Sequence, residues 1–351
     1  MSIESNNMAI PVTFFRSSSY NCWSVCQQQY MLTYVLGKPS PSGKKAEMGT
    51  ILHKVMECLA HGKKALQDNE KHFVDEVMGK VSISPEKLED PQFVEWLFEK
   101  SFEYYTAPDK SIHEYSARDK GDVWEWSCQT LEYYDGMFDP RKRKIVEAEP
   151  HFDLPIMEPW AEYEYKMPDG STLEGRLHVK GTIDLVTEID PTFYEVIDWK
   201  SGKCVNWATG EDKHYHDFCA DPQLSIYHWA LTQMYPDVET FAMTINYVRT
   251  AGPFTLSYGP ENIETTMKML RKRFETIKHN VRPKLKSSSN KHWFCKYVCW
   301  FGSPKNPANQ NCERTMCQHI ADETRKHGID NVIRNHTEPG FNVGFYQNPG
   351  S

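Results

Sequence analysis

Apolar and polar positions between residues 181 and 203 follow the alternation of two adjacent β-strands. Apolar residues surround Asp184, an Asp-Pro pair supplies a turn, and residues 194–199 alternate β-branched, acidic and aromatic side chains. The two runs therefore predict a hairpin. Asp198 and Lys200 are two residues apart, so their side chains leave the same face of the second strand, where Asp184 can approach from the first.

Two carboxylates and a lysine at one place on a hairpin favour a particular chemistry. Neighbouring carboxylates repel each other, and a divalent cation that prefers oxygen ligands, such as magnesium or manganese, relieves the repulsion. A lysine beside them can hold a metal-activated water or stabilise the charge on an attacked phosphate. The pattern indicates phosphodiester hydrolysis; the alternative is a surface hairpin with ordinary exposed ion pairs.

Helical periodicity precedes the hairpin. Residues 44–62 carry apolar side chains at helical spacing, with His53 and Glu57 one turn apart. Residues 64–137 predict further helices whose aromatic side chains pack in a core. Such an insertion could also roof an active site or form a passage for a strand of nucleic acid.

Strand-like alternation begins at residue 145, and residues 145–149 fit the first strand of a sheet. After the hairpin, residues 222–234 predict a helix on which Gln223 and Tyr227 lie one turn apart. A strand and a basic helix follow. This order of elements predicts an α/β fold.

The C-terminal part of the chain is rich in cysteine. Four cysteines among aromatic side chains indicate a metal site there: Cys295, Cys299, Cys312 and Cys317. Taken locally, they could bind structural zinc. Residues 214–219 contain two histidines and a cysteine, but no second pair of ligands at a suitable spacing supports zinc there. Near the N-terminus, Cys22 and Cys26 share one face of a predicted helix, and Cys22 is expected to be a buried apolar residue.

The segments Gly-Thr-Ile-Asp184 and Val-Ile-Asp198-Trp-Lys200 resemble the core of the PD-(D/E)XK nuclease superfamily, specifically its RecB-like exonuclease branch. Three further segments match that branch in the same order: Gly-Thr-Ile-Leu-His53 with Glu57, Gln223-Leu-Ser-Ile-Tyr227, and residues 17–30, ending in Cys26-Gln-Gln-Gln-Tyr30. The last is similar to the N-terminal cysteine segment of members with a four-cysteine iron–sulfur cluster, such as the CRISPR-associated and AddB-type nucleases. The matches run from about residue 17 to about residue 317.

The resemblance implies a restriction-endonuclease-like core, a mixed sheet flanked by helices, with a helical insertion and a cysteine-rich C-terminal arm. It implies one or two magnesium or manganese ions held by these ligands: His53, Asp184, Asp198 and the backbone carbonyl of Trp199. Lys200 would assist the attacking water, while Gln223 and Tyr227 would engage that water or the substrate phosphate. Glu57 and Glu149 are expected to support the site.

For the cysteines, the resemblance implies that Cys26 joins three others around a [4Fe-4S] cluster: Cys295, Cys299 and Cys312, with Cys317 as the alternative last ligand. Related proteins tend to have two residues between the first pair, whereas Cys295 and Cys299 have three. Structural zinc stays open as the alternative cofactor.

Four consecutive segments are predicted along the chain. They are an N-terminal helical region over 14–140, a nuclease core over 141–285, a cysteine-rich arm over 286–327 and a loosely ordered tail over 328–351. The helical region would carry the first cluster cysteine and the metal-binding histidine.

The chain has 351 residues, 39% of them hydrophobic, and a formal net charge of −8. This charge argues against a protein that coats nucleic acid, but a nuclease needs only a local basic path. Residues 141–144 and 271–286 could contact DNA backbone phosphates without sequence preference, or could be solvated charged faces. No apolar run of about 18 residues predicts a membrane span, and the N-terminus lacks signal-peptide features, so an intracellular protein is expected.

The sequence therefore predicts a metal-dependent DNA exonuclease that acts on single-stranded DNA or DNA ends in recombination, repair or phage DNA metabolism. One alternative is a DNA-binding or assembly protein with an inactive nuclease fold, and another is a restriction-type endonuclease. The chain lacks a Gly-x-x-x-x-Gly-Lys-Ser/Thr loop, which predicts no ATP-driven motor in it. A separate helicase or recombinase partner could supply one.

Overall fold

The computed structural model describes residues 10–205, 211–249, 252–288 and 292–342. Contacts divide the chain into two compact units. The core unit consists of Ser42–His151 and Thr182–Ile263, and the cysteine unit consists of Met1–Pro41, Phe152–Gly181 and Glu264–Ser351. Each unit is discontinuous in sequence, so its limits differ from the consecutive segments predicted above.

The α-helices are α1 (Ser17–Val25), α2 (Gln27–Tyr30), α3 (Lys44–Gln67), α4 (Pro85–Glu89), α5 (Pro91–Tyr105), α6 (Ala117–Glu132), α7 (Tyr215–Cys219), α8 (Pro222–Met234), α9 (Glu261–Lys278), α10 (Met316–His327) and α11 (Ile329–His336). Two π-helical segments span Met31–Val35 and Phe294–Val298. Short 3-10 turns lie at Tyr133–Asp135, Pro140–Lys142, Pro159–Ala161, Trp300–Gly302 and Pro307–Asn309.

The β-strands are β1 (Phe14–Phe15), β2 (His72–Asp75), β3 (Gly79–Ser82), β4 (Ile145–Ala148), β5 (His151–Pro155), β6 (Glu162–Lys166), β7 (Thr172–Arg176), β8 (His178–Thr182), β9 (Leu185–Asp190), β10 (Phe193–Lys200), β11 (Thr240–Tyr247) and β12 (Gly252–Tyr258). The core unit contains a five-stranded sheet with the order β12-β11-β10-β9-β4, in which β10 and β11 are parallel and the other pairs are antiparallel. A mixed sheet with helices beside it confirms the predicted fold class.

The predicted hairpin is formed by β9 and β10, whose register pairs Ile197 with Leu185. Asp184 lies just before β9 and outside the strand in which the sequence placed it. Continuing the register by one residue still sets Asp184 beside Asp198, because the two chains remain adjacent where the strand begins. The hairpin therefore brings the two carboxylates to one end of the sheet.

Helix α3 supplies one side of the core. Its apolar residues recur every three or four positions and are fully buried: Met48, Ile51, Leu52, Val55, Met56 and Leu59. The helix packs against α5 and α6, and it continues to Gln67, beyond the predicted end at residue 62. In the region expected to be helical throughout, β2 and β3 form a hairpin instead, since only Phe73, Asp75 and Val81 of these short strands are buried and the alternation is too brief to see.

The cysteine unit contains the β6–β7 hairpin, a sheet with the order β1-β8-β5, and helices α10 and α11. Helix α11 lies within the segment predicted to be a loosely ordered tail. Its residues Ile329, Val332 and Ile333 are buried at helical spacing, which explains why the segment is ordered there. Residues 343–351 of that predicted tail lie outside the described residues.

None of the helices in the described part of the chain combines the length and the apolar character needed to cross a lipid bilayer.

Candidate active site

Strand β10 presents Asp198 and Lys200 to the same place, as their spacing predicts. Lys200 Nζ lies 2.6 Å from Asp198 Oδ2. The second oxygen of Asp198 accepts a hydrogen bond of 2.7 Å from Gln223 Nε2 on α8, which also donates to the Tyr227 hydroxyl at 3.1 Å. Asp198 is only 1% exposed, so each of its oxygens is buried against a donor.

Asp184 and His53 are held together by the backbone of Trp199. The Trp199 N–H donates to Asp184 Oδ2 at 2.9 Å, and the Trp199 carbonyl oxygen accepts a hydrogen bond from His53 Nε2 at 2.7 Å. His53 Nδ1 lies 3.5 Å from Asp184 Oδ1. The structure thus brings together all four groups that the resemblance implies as metal ligands.

Close packing of α3 against the end of β10 depends on a glycine in the histidine motif. A Cβ atom added at Gly49 would lie 2.5 Å from the Ser201 hydroxyl oxygen, well inside van der Waals contact. Ser201 directly follows Lys200, and His53 is one turn along α3 from Gly49. Glycine at this position therefore leaves room for the Ser201 side chain where α3 meets the end of β10.

Burial and charge pairing shift the pKa values in this cluster in opposite directions. Burial raises the pKa of Asp198 to about 6. The Lys200 ammonium opposes this rise, and the charge of Asp184 adds to it. Burial also acts to raise the pKa of Asp184, but the charge and hydrogen bond of His53 hold it below its ordinary value. Burial acts to lower the pKa of His53, yet the Asp184 carboxylate raises it to about 9. His53 is therefore protonated at neutral pH and would release a proton on binding a metal ion.

Glu149 lies at the end of β4, in a left-handed backbone conformation with φ of 48°. Its N–H donates to the Asp184 carbonyl oxygen at 3.1 Å, so the strained residue sits next to the hairpin. Burial, followed by the charge of Glu57, raises the pKa of Glu149 to about 7. Glu149 can therefore carry or release a proton near neutral pH beside the site.

Glu57 is bound into a buried ion-pair network. Lys54 Nζ lies 2.6 Å from Glu57 Oε2 and 3.1 Å from Asp75 Oδ2. Sequence reasoning missed Lys54 and Asp75, because a lysine inside an apolar helix and an aspartate in a brief strand give no local signal. The network gives Glu57 a structural partner in addition to its electrostatic effect on Glu149.

A second group that sequence reasoning missed lies next to the catalytic strand. The Arg249 guanidinium lies 4.7 Å from the centre of the Trp126 ring and donates to the Ser201 carbonyl oxygen at 3.3 Å. Lys45 Nζ is 5.4 Å from the same ring. Three separate segments of the chain contribute to this group, so no single motif could have revealed it.

In the cysteine unit, four thiols line one cavity: Cys26, Cys295, Cys299 and Cys317. Three of them are buried, and the fourth, Cys295, is half-buried. A hydrogen bond from the Cys317 thiol lowers the pKa of Cys299 to about 7, whereas burial raises the pKa of Cys295 to about 11. The four thiols therefore line one partly enclosed space in the cysteine unit.

Cys312, the preferred fourth ligand in the sequence interpretation, does not line this cavity. It is exposed and lies in a surface depression with His319 and His336. Cys317 occupies the cavity because it lies in the first turn of α10, whose buried face is turned inward, whereas Cys312 lies in the preceding loop. Cys22 is half-buried outside the cavity, and burial raises its pKa.

Oxygen and nitrogen donors converge at the end of the hairpin: two carboxylates, an imidazole and a carbonyl, which suit a hard divalent cation. Among the described residues, however, no three His, Cys, Asp or Glu side chains already form a metal-ligating group. At the hairpin the reason is visible: His53 is hydrogen-bonded to a backbone carbonyl and Asp198 is paired with Lys200. A cation would have to replace these contacts.

The arrangement is that of an enzyme that hydrolyses phosphodiester bonds. The sequence profile of the PD-(D/E)XK nuclease superfamily matches residues 17–303, and the chain belongs to this superfamily. One solved structure similar to the chain is the "Putative exonuclease" of Eubacterium rectale, at 10% sequence identity and a TM-score of 0.40, covering 78% of this chain and 84% of that one. No curated protein sequence matches the chain.

Proposed function

We propose that the protein is a divalent-metal-dependent deoxyribonuclease of the RecB-like branch, an exonuclease that acts on single-stranded DNA or DNA ends. The observation that carries this proposal is the convergence of His53, Asp184, Asp198 and the Trp199 carbonyl next to Lys200. Recombination, repair or phage DNA metabolism are the processes in which such an activity is needed. A helicase or recombinase is the kind of partner that would present DNA ends to it.

The donor set fits magnesium or manganese, with His53, Asp184, Asp198 and the Trp199 carbonyl as the residues that would hold it. When bound, the cation supplies Lewis-acid chemistry and lowers the pKa of water. Membership of the superfamily supports this assignment, since its nucleases generally use divalent metals.

Lys200 is the residue that most directly supports transition-state charge. Burial acts to lower its pKa, but the charges of Asp198 and Asp184 raise it, so the ammonium stays protonated. A fixed positive charge in a buried site stabilises negative charge that develops on an attacked phosphate. The Gln223 amide donates to Asp198 and to the Tyr227 hydroxyl. We assign Gln223 and Tyr227 the role of engaging the substrate phosphate or the attacking water.

For the cysteine unit, we propose a metal centre held by Cys26, Cys295, Cys299 and Cys317. Four thiolates are the ligand set of either a [4Fe-4S] cluster or structural zinc. The likeness of the Cys26 segment to cluster-bearing nucleases supports iron–sulfur, and structural zinc is the alternative. Iron, sulfide and zinc analysis of protein purified without oxygen distinguishes the two.

Cleavage of end-labelled single-stranded, duplex and circular DNA tests the proposed activity. With magnesium or manganese, the wild-type protein should release labelled nucleotides from linear DNA and spare circles. Cleavage of circles would instead identify a restriction-type endonuclease. Binding of DNA without cleavage under either metal would identify a DNA-binding protein with an inactive nuclease fold.

A further inference from the structure

The core unit contains a basic cleft that shares no residue with the catalytic site. It lies at the C-terminal end of α3 and the start of β4, and its volume is about 720 Å³. Five cationic side chains line it: Lys63, Lys64, Lys142, Arg143 and Lys144. Asp68 and Glu188 also line the cleft, so the five cations face two carboxylates and leave an excess of three positive charges in a chain whose net charge is −8.

Three of the five cations are already paired. Lys64 lies 2.9 Å from Asp68, Lys144 lies 2.6 Å from Glu188, and Arg143 lies 3.1 Å from Glu195, which is outside the cleft.

The positive charge of the other two, Lys63 and Lys142, is not neutralised. The Lys142 ammonium donates to the Asp135 carbonyl oxygen, and Lys63 has no hydrogen bond or ion pair with any part of the chain that the structure describes. The C-terminal carbonyls of α3 contribute partial negative charge, so the attraction for an anion comes from these side chains. Both lysines are therefore placed to bind an anionic ligand.

The walls of the cleft are fixed to each other. Gln67 at the end of α3 accepts from the Ile145 N–H at 2.8 Å and donates to the Ile145 carbonyl oxygen at 2.9 Å. This reciprocal pair closes the edge of strand β4 against the helix. Lys63 lies on α3 and Lys142 in the 3-10 turn just before β4, so these two hydrogen bonds hold together the segments that carry the two lysines.

Helix α3 also connects the cleft to the catalytic site. From His53 to Gln67 the helix rises about 21 Å. Duplex DNA rises about 3.4 Å per base pair, so the distance corresponds to about six steps. A DNA substrate bound at the hairpin can therefore reach the cleft when it extends more than about six base-pair steps along α3.

We propose that the basic cleft binds the phosphodiester backbone of the DNA substrate at a distance from the scissile bond. This inference rests on the proposed function and adds to it a length-dependent binding site. Contacts to phosphates by lysines are independent of base sequence and decrease with salt. The cleft should therefore contribute to the binding of long DNA and not to chemistry.

The test compares the double variant Lys63→Ala/Lys142→Ala with Lys87→Ala/Lys100→Ala, which removes the same charge from α4 and α5 of the same unit. Dissociation constants for long linear DNA and for an oligonucleotide shorter than about six steps are measured without metal at several salt concentrations. KM and kcat are measured on the same DNAs with manganese. The charge-preserving variant Lys63→Arg/Lys142→Arg serves as the rescue.

For long DNA, Lys63→Ala/Lys142→Ala should raise Kd and KM about tenfold and reduce the slope of log K against log salt by roughly 1.4 to 1.8. The short oligonucleotide and kcat should be unaffected, and the arginine variant should restore binding. Equal binding of long DNA by Lys63→Ala/Lys142→Ala and by the control Lys87→Ala/Lys100→Ala would overturn the inference. Absence of cleavage by the wild type would reject the proposed nuclease activity, while the metal-free binding data would still decide whether the cleft binds DNA.

Discussion

The catalytic hairpin and the cysteine cavity both gather reactive side chains from distant segments, but their supporting backbone differs. At the hairpin, β9, β10 and α3 are regular elements, and the Trp199 backbone binds Asp184 on one side and His53 on the other. At the cavity, Cys295 lies in a π-helical segment and Cys299 caps it. Strand register therefore determines which residues meet at the hairpin. At the cavity, where the segments are irregular, tertiary packing determines which cysteines line it.

The largest expected effect is on the hairpin. Asp184→Ala removes a carboxylate that both His53 and the Trp199 N–H contact, and it should lower metal-dependent cleavage by at least about 10⁴-fold. Initial rates of nucleotide release measure the loss. Asp237→Ala, which changes an exposed aspartate of the same unit, is the control and should retain the wild-type rate. Equal rates for the two variants would exclude Asp184 from catalysis.

The next effect concerns the cavity, where Cys317→Ser and Cys312→Ser form a matched pair. Cys317→Ser should lose the iron or zinc of the proposed centre and lower the free energy of unfolding by more than about 4 kcal/mol, because one of its four thiolate ligands is gone. Metal analysis and denaturant unfolding measure both changes. Cys312→Ser should keep the metal. Loss of the metal from Cys312→Ser but not from Cys317→Ser would instead support Cys312 as the fourth ligand.

Helix α8 carries the hydrogen-bonded Gln223 and also His228, whose ring nitrogens have no hydrogen-bond partner in the described part of the chain. His228 is fully buried, and burial lowers its pKa to about 4. As pH falls, His228 is therefore protonated in the unfolded chain before it is protonated in the folded one. The free energy of unfolding decreases as pH falls from about 6.5 towards 4, by about 3 kcal/mol in total. Denaturant unfolding against pH should show that His228→Leu lacks this decrease. His216→Leu, at an exposed histidine of α7, should retain it, and identical pH profiles would contradict the prediction.

The smallest effect is expected at a residue that positions a ligand. Gln223→Ala frees one oxygen of Asp198 and should lower manganese affinity or kcat by about 10- to 100-fold. Gln233→Ala, an exposed glutamine of the same helix, is the control and should leave both unchanged. Manganese titration and steady-state kinetics report the two quantities. An unchanged Gln223→Ala enzyme would mean that Asp198 is oriented by Lys200 alone.

Local patterns revealed the parts of the molecule that regular structure determines. Alternation predicted β9 and β10, and apolar spacing predicted α3, whereas the role of His53 came from the family resemblance. The β2–β3 hairpin was missed because each strand has only four residues, and α11 was missed because a polar composition hid three buried apolar positions. Local periodicity is weak evidence when an element is short.

Long-range packing determined what the sequence could not. The choice between Cys312 and Cys317 depends on which face of α10 is buried. The Lys54 network and the basic cleft likewise join residues far apart in the chain. Sequence reasoning did single out residues 141–144 as a basic cluster, but not the α3 lysines that complete the cleft.

The most direct test of the catalytic hairpin is the initial rate of manganese-dependent cleavage of linear DNA by Lys200→Ala and by Lys203→Ala. Both variants remove one lysine, but Lys200 lies 2.6 Å from Asp198, whereas Lys203 is exposed beyond the strand. Cleavage by Lys200→Ala should fall by about 10²- to 10³-fold, with Lys203→Ala near the wild-type rate. A Lys200→Ala enzyme as fast as Lys203→Ala would contradict the assignment of catalysis to this site.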